Sequence, residues 1–212
     1  MSPLYAIVDV DVCLAAGLTP ESASAAFLRA GVSHLQIRAK HLASGAFLEL
    51  VTAILPAARA AGATLLVNDR VDVARSAGVG VHLGQEDLPV AEARRILGPE
   101  AVIGRSTHTA AELAAALAES VTYVAYGPVF ATRTKANPDP VVGLDGIRAA
   151  AVEAGAAGLP LVAIGGITLS TARSVTEAGA NAVAVISDLL ADPADPEARA
   201  RRFLWALAAK PV

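Results

Sequence analysis

The sequence predicts a closed (β/α)8 TIM barrel, an α/β fold, on three observations. Eight short runs rich in aliphatic and β-branched residues recur along the 212 positions. Each is nearly continuous in apolar residues and does not alternate, as expected for strands covered on both faces. Ala- and Leu-rich stretches with helical spacing lie between them. Strands alternating with helices imply a parallel sheet, and eight units of about 25 residues fill the chain as one barrel. An open doubly wound sheet is the alternative, though it usually has fewer strands.

The first run is Leu4–Val8. Thr19-Pro20-Glu21 then marks a helix start, with Pro in the first turn. Phe27 and Leu28 fall on that helix, and Gly31 is placed to stop it. His34–Arg38 is the second run, followed by a helix carrying Phe47, Leu48, Val51 and Leu55 that stops near Gly62. Thr64–Asn68 leads to a helix ended by Gly78, and Gly80–Leu83 is the fourth strand. Val102–Gly104 is the fifth, before a helix over Ala110–Leu117 whose Thr109-x-x-Glu112 start is a capping box. Val121–Tyr126 is the sixth, with helical spacing over Ile147–Val152 after it. Leu161–Ile164 and Ala182–Ile186 complete the set, with a stop at Gly179 between them and a last helix through Phe203–Leu207. Trp205 on that helix is expected in the core. No linker, low-complexity tract or charge run divides the chain, so residues 1–212 are expected to form a single domain.

Composition narrows the partners. Hydrophobic residues are 54% and charged residues 17%, enough apolar material for one continuous core. Net charge is -3 with no basic block, which argues against nucleic acid and membrane surfaces as main partners. Any anion site must therefore be built locally. The one cysteine, Cys13, cannot form an internal disulfide, and nothing nearby would lower its pKa for nucleophilic work. Asp9 and Asp11 interrupt the first apolar run, which does not read as a signal peptide. No stretch approaches the roughly 20 apolar residues of a membrane helix. A cytoplasmic location is expected. A homo-oligomer is left open by the sequence.

In a barrel of this class chemistry sits at the C-terminal ends of the strands. The polar residues follow that asymmetry. Strand 2 ends in Gln36-Ile37-Arg38-Ala39-Lys40, where Gln36, Arg38 and Lys40 share one face. Strand 3 ends in Asn68-Asp69, strand 4 in His82 to Asp87, and strand 5 in Arg105-Ser106-Thr107-His108. Strand 6 ends in a Gly127-Pro128 turn that delivers Thr132, Arg133, Thr134 and Lys135. Hydroxyls and cations that close together suit phosphate oxygens, although threonines in loops also bond nearby backbone. Strand 7 gives Gly165-Gly166 and strand 8 gives Ser187-Asp188, the usual place of a phosphate cradle in barrels. The segment Ala131–Pro140, with Pro138 and Pro140 flanking Asp139, could serve as a mobile active-site loop.

Duller readings stand beside these. Asn68-Asp69 and Asp87 could cap the next helices. Gly165-Gly166 could only relieve crowding. His82, in an apolar run, is expected to be a satisfied core histidine, and His108, beside the capping box, a surface residue. Gly78-x-Gly80 precedes a strand instead of following one, so it is no dinucleotide fingerprint. Taken together, Arg38, Lys40 and Lys135 attract an anion while Asp69 and Asp87 repel it. A divalent cation bridging carboxylates and phosphate oxygens reconciles the two sets, as Mg2+ commonly does.

These residues resemble the thiamine phosphate synthase family. The resemblance rests on seven ordered segments over almost the whole chain. They are Gln36 to Lys40, Val67 to Arg70, Val81 to Leu88, Ile103 to Ser106, the Gly-Pro-Val-Phe-x-Thr-x-Thr-Lys loop, Ala163 to Ile167, and Val185 to Ser187. It implies a (β/α)8 barrel that joins hydroxymethylpyrimidine diphosphate to a thiazole phosphate and releases diphosphate. It implies further that Gln36, Arg38, Lys40, Asn68, Ser106 and Lys135 hold the pyrimidine diphosphate, with Arg38, Lys40, Ser106 and Lys135 catalytic. Asp69 and Asp87 would bind Mg2+. Thr132, Thr134, Gly166, Ile186 and Ser187 would hold the thiazole phosphate. Two departures are visible. Ala39 stands where the family has an acid, on the face turned away from Arg38 and Lys40. The stretch from Asp69 to His82 also looks one residue short, which bears on where Asp87 falls. Two alternatives remain at this level: a thiazole isomerase of the same barrel family, with His108 as its base, and a non-catalytic regulator that keeps a phosphate pocket.

Overall fold

The computed structural model describes residues 2–132 and 139–208. Its eight strands are β1 (Leu4–Asp9), β2 (His34–Arg38), β3 (Thr64–Asn68), β4 (Gly80–Leu83), β5 (Ile103–Thr107), β6 (Tyr123–Tyr126), β7 (Leu161–Ile164) and β8 (Ala182–Val185). Every strand pairs in parallel with the next. β8 returns to β1 with Leu4 opposite Val183 and Ala6 opposite Val185, so the sheet closes. That pairing removes the open-sheet alternative.

The helices are α1 (Val10–Ala15), α2 (Pro20–Ala30), α3 (Ser44–Ala60), α4 (Val71–Ala77), α5 (Val90–Leu97), α6 (Ala110–Leu117), α7 (Gly143–Ala156), α8 (Ala172–Glu177) and α9 (Pro196–Ala208). Their ends follow local chemistry. Thr19 accepts from the Ser22 N–H at the start of α2, with Pro20 as the first helical residue, and Gly31 ends that helix at φ 99. Thr109 accepts from Glu112 N, while the Glu112 carboxylate reaches one residue further back, to the N–H of His108 at 2.7 Å. No helix among the described residues is long and apolar enough to cross a membrane.

Alternation along the strands makes two cores. One face packs Leu4, Leu35, Ile37, Val67, Leu83 and their neighbours against the helices. The other fills the barrel with Tyr5, Ile7, Leu66 and Tyr123, then Ala125, Val162, Ala182 and Ala184. The last four are small, and they lie on β6, β7 and β8. The interior is therefore plugged by aromatic rings on one side and left roomy on the other. Gly104 is required by that plug. A Cβ there would lie 2.1 Å from Cζ of Tyr123 and 2.6 Å from Nδ1 of His82.

Two expectations are corrected. β5 does not stop at Gly104 but runs through Arg105 and Ser106 to Thr107, because this polar segment continues the ladder with β6 to the Thr107–Tyr126 pair. The Thr107 hydroxyl is hidden by donating to the Ala125 carbonyl at 2.8 Å. Trp205 is not in the core: it is 78% exposed. Phe203 takes the buried face of α9, and a residue two positions on lies about 200° round the helix.

Gly104→Ala is expected to cost about 1–3 kcal/mol through forced displacement of Tyr123 and His82. Denaturant unfolding should show a lowered midpoint with an unchanged slope. A midpoint equal to the parent's would contradict the packing described.

Candidate active site

All eight strands or the loops that follow them contribute to one cavity at the C-terminal mouth, of about 1130 Å³. That exceeds the space a single small ligand usually needs and suits two. Gln36, Arg38, Lys40, Asn68, Asp69, Asp87, Ser106, Thr132, Gly166, Ile186 and Ser187 all line it. Thr134 and Lys135 lie outside the described residues, as does most of the loop expected to be mobile.

The charged side of the mouth comes from β2, β3 and β4. Arg38 pairs with Asp9, which is itself nearly buried and also accepts from Val12 N at 3.0 Å. Lys40 Nζ lies 2.5 Å from Oδ2 of Asp69. The Asp87 carboxyl rests against that of Asp69 and accepts the Gly84 N–H at 2.6 Å. Burial first, and then the neighbouring Asp69, hold Asp87 above the usual carboxylate range; Gly84 N–H and Lys40 oppose the shift. Helix capping does not explain these acids. The N-cap of α4 is Arg70 and that of α5 is Pro89, and neither makes a side-chain bond to its helix. The shortened stretch before His82 has not moved Asp87 out of reach. Asp69 also has φ 65, the one non-glycine among the described residues in the left-handed region. Asp tolerates that region better than most residues, and such a conformation is characteristic of functional sites.

Beneath the charges lies a neutral polar chain. Gln36 Nε2 donates to the Tyr5 hydroxyl at 2.6 Å. Tyr5 and Tyr123 hydroxyls meet at 3.0 Å. Tyr123 meets Nδ1 of His82 at 2.8 Å, and Nε2 of His82 meets the Ser106 hydroxyl at 2.8 Å. His82 is thus the satisfied buried histidine expected of it, and it also lines the cavity. Desolvation lowers its pKa to about 4, and burial raises the hydroxyls of Tyr5 and Tyr123. Cys13, on α1, is buried, with its thiol pushed up to about 12 by burial and then by Asp9, which fits an inert side chain.

His108 corrects its expectation. It lines the cavity and is mostly covered, because its Nδ1 donates to the Gly127 carbonyl at 2.7 Å and its backbone N–H is taken by Glu112. Asp139 lies 3.5 Å from the same nitrogen.

The other side of the mouth comes from the loops after β6, β7 and β8. Gly165 and Gly166 have φ 100 and 64, and a Cβ on either would strike the backbone of Pro128 or Ala131 at 2.5 Å. The crowding reading holds: the glycines let the β6 loop settle onto the β7 loop. The N–H groups of Gly166 and Ile167 have no acceptor among the described residues. Asp188 pins this corner, accepting from Leu169 N at 2.8 Å and from Arg199 of α9 at 2.6 Å. Sequence reasoning missed Asp9, Tyr5, Tyr123 and Arg199. The alternation Tyr5-x-Ile7-x-Asp9 was the available signal for β1. Arg199 carries none.

Comparisons with known proteins show the family and the fold. A family model described as thiamine monophosphate synthase matches residues 4–189. A thiamine-phosphate synthase of Koribacter versatilis is 46% identical, covering 96% of this chain and 95% of its own. One of Anaeromyxobacter dehalogenans is 47% identical over 94% of this chain and 85% of its own. Among solved structures, a thiamine phosphate pyrophosphorylase of Pyrococcus furiosus superposes with a TM-score of 0.85 at 26% identity, over 98% of both chains.

His82 predicts the acid limb of stability. Its folded pKa, about 4, lies below its unfolded value of about 6.5. Between those values the unfolded chain binds a proton that the native state refuses. The stabilisation is complete above about pH 6.5, is lost as pH falls towards 4, and changes little below that. Between pH 7 and pH 5 the loss should be ~2 kcal/mol, read by denaturant unfolding. His82→Gln should flatten that slope; an unaltered slope would assign it elsewhere.

Proposed function

The chain belongs to the thiamine monophosphate synthase family and is a transferase of thiamine biosynthesis that makes thiamine phosphate, and from that premise we propose how the mouth divides its work. In this reading the substrates are 4-amino-2-methyl-5-hydroxymethylpyrimidine diphosphate and 4-methyl-5-(2-phosphoethyl)thiazole, plain or carboxylated. The enzyme is a single cytoplasmic barrel domain over residues 1–212. The observation that carries the division is the contact of Lys40 with Asp69 and of Asp69 with Asp87, beside Arg38, on one side of a cavity large enough for two ligands.

Gln36, Arg38, Lys40, Asn68, Ser106 and Lys135 hold the pyrimidine diphosphate. Asp69 and Asp87 hold Mg2+. The donor set fits that ion: two crowded carboxylates whose repulsion a divalent cation relieves, leaving room for phosphate oxygens and water. No cluster of three His, Cys, Asp or Glu among the described residues offers a closed zinc site. When bound, the ion neutralises charge on the departing diphosphate. The C–O bond to the pyrimidine methylene breaks with both electrons leaving on diphosphate oxygen. The thiazole nitrogen lone pair then forms the new C–N bond, and a carboxylated thiazole also loses its carboxyl as CO2, the bonding pair staying on the ring carbon. Arg38, Lys40 and Lys135 stabilise the negative charge that grows on the leaving group. Thr132, Thr134, Gly166, Ile186 and Ser187 place the thiazole phosphate on the opposite side, so the nitrogen faces the methylene. No strong base is required. The isomerase alternative needs neither acid and finds no support in the relatives' names.

Two sets of measurements test this. Turnover of both substrates should require magnesium and stop with a chelator. Asp69→Asn suits the left-handed backbone but removes the charge, and should lower kcat by about 100-fold or more. Full activity in that variant would overturn the metal assignment. Arg199→Ala should raise KM for the thiazole phosphate by about tenfold, with KM for the pyrimidine within about twofold. Equal changes in both would place Arg199 in general stability, not in the cradle.

A further inference from the structure

The hydrogen-bond chain under the mouth has two ends, and both face the cavity. Gln36 and Ser106 line it, as do Tyr5 and His82; Tyr123 does not, being wholly buried behind them. Each link limits the next, because each group has a fixed stock of protons. His82 is 6% exposed and its ring nitrogens meet only hydroxyl groups. A buried ring with no carboxylate on either nitrogen stays neutral, with one N–H. One nitrogen therefore donates and the other accepts.

The direction follows from the other end. The Gln36 amide gives its N–H to the Tyr5 oxygen. Tyr5 has one proton, and its next contact is the Tyr123 oxygen, so Tyr5 donates there. The Tyr123 proton then goes to Nδ1 of His82. His82 carries its own proton on Nε2 and donates to the Ser106 oxygen. The Ser106 proton is left for a ligand. So is the Gln36 carbonyl oxygen, which has no partner among the described residues. Putting the His82 proton on Nδ1 instead strands a hydroxyl proton on one of two buried tyrosines unless every link reverses and the Gln36 amide turns over. The two ends change sign together.

We propose that this chain fixes Ser106 as a donor and Gln36 as an acceptor towards one ligand, and that Tyr123, without touching substrate, thereby selects an aminopyrimidine over its oxo counterpart. An aminopyrimidine offers a ring nitrogen that accepts beside an amino group that donates. The oxo compound offers a ring N–H and a carbonyl, the reverse pattern. Tyr123 is a positioning and specificity residue, acting through His82 on Ser106. The proposal rests on the aminopyrimidine diphosphate being the substrate.

The experiment compares kcat/KM for the 4-amino pyrimidine diphosphate and its 4-oxo analogue, in the parent and in Tyr123→Phe, with inhibition constants replacing turnover where the analogue is slow. Removing one hydroxyl frees the direction of the chain. The preference for the amino compound should shrink about tenfold. Intrinsic reactivity and the fraction of folded enzyme cancel in this double ratio, so a merely structural role for Tyr123 leaves it unmoved; an unmoved ratio overturns the proposal. Nitrogen NMR of 15N-histidine-labelled parent enzyme needs no variant. It should show His82 neutral, protonated on Nε2 and bare on Nδ1, and the opposite tautomer or a charged ring overturns the proposal as well. A parent enzyme that cannot use the aminopyrimidine diphosphate would overturn the substrate assignment and the selection built on it, while the tautomer would still report the direction of the chain.

Discussion

Two like charges held against each other organise this mouth. Asp69 and Asp87 come from successive strand ends, and Lys40 reaches them from the strand before. Sequential parallel pairing puts β2, β3 and β4 side by side, so three short segments deliver a cation and two carboxylates to one point. The local rules yield to that point. Helices α4 and α5 start without side-chain caps, although an acid precedes each within a few residues. Asp69 accepts a left-handed backbone, which directs its carboxylate into the cluster. Local conflicts of this kind are expected where function, not folding, sets the geometry.

The interior is graded by depth. Ions sit at the rim, where solvent and ligands can reach them. Below them, the tyrosines and His82 carry neutral hydrogen bonds only, since a charge at that depth has no solvent to compensate it. Tyr5, Tyr123 and His82 each find their partners within the chain, so the floor is held without ion pairs. The same grading explains Arg38, which lies between the zones and carries its own counterion in Asp9.

Much of this was legible in the sequence, for identifiable reasons. Apolar runs bounded by glycines gave β2, β3, β4 and β7 their ends, and the polar residues after them gave the mouth. Ser106 was found, but as a loop residue. Arg105-Ser106-Thr107 looks too polar for a strand until the Thr107 hydroxyl is seen to be hidden on Ala125. Tyr5 and Tyr123 were missed because a tyrosine in an apolar run is indistinguishable from a packing residue; its hydroxyl partners lie 31 and 118 positions away. His108 looks like a surface residue in the sequence because its cover, Gly127, belongs to the turn after β6. Trp205 misled by composition, since helix phase, not hydrophobicity, decided its side.

The clasp between Arg199 and Asp188 ties the last helix to the end of the barrel. β7 and β8 supply the corner that it holds, yet the guanidinium that steadies it arrives only with α9. A chain ending before Pro196 would keep all eight strands, Asp69 and Asp87, but its Asp188 carboxylate would lose the guanidinium that it meets at 2.6 Å.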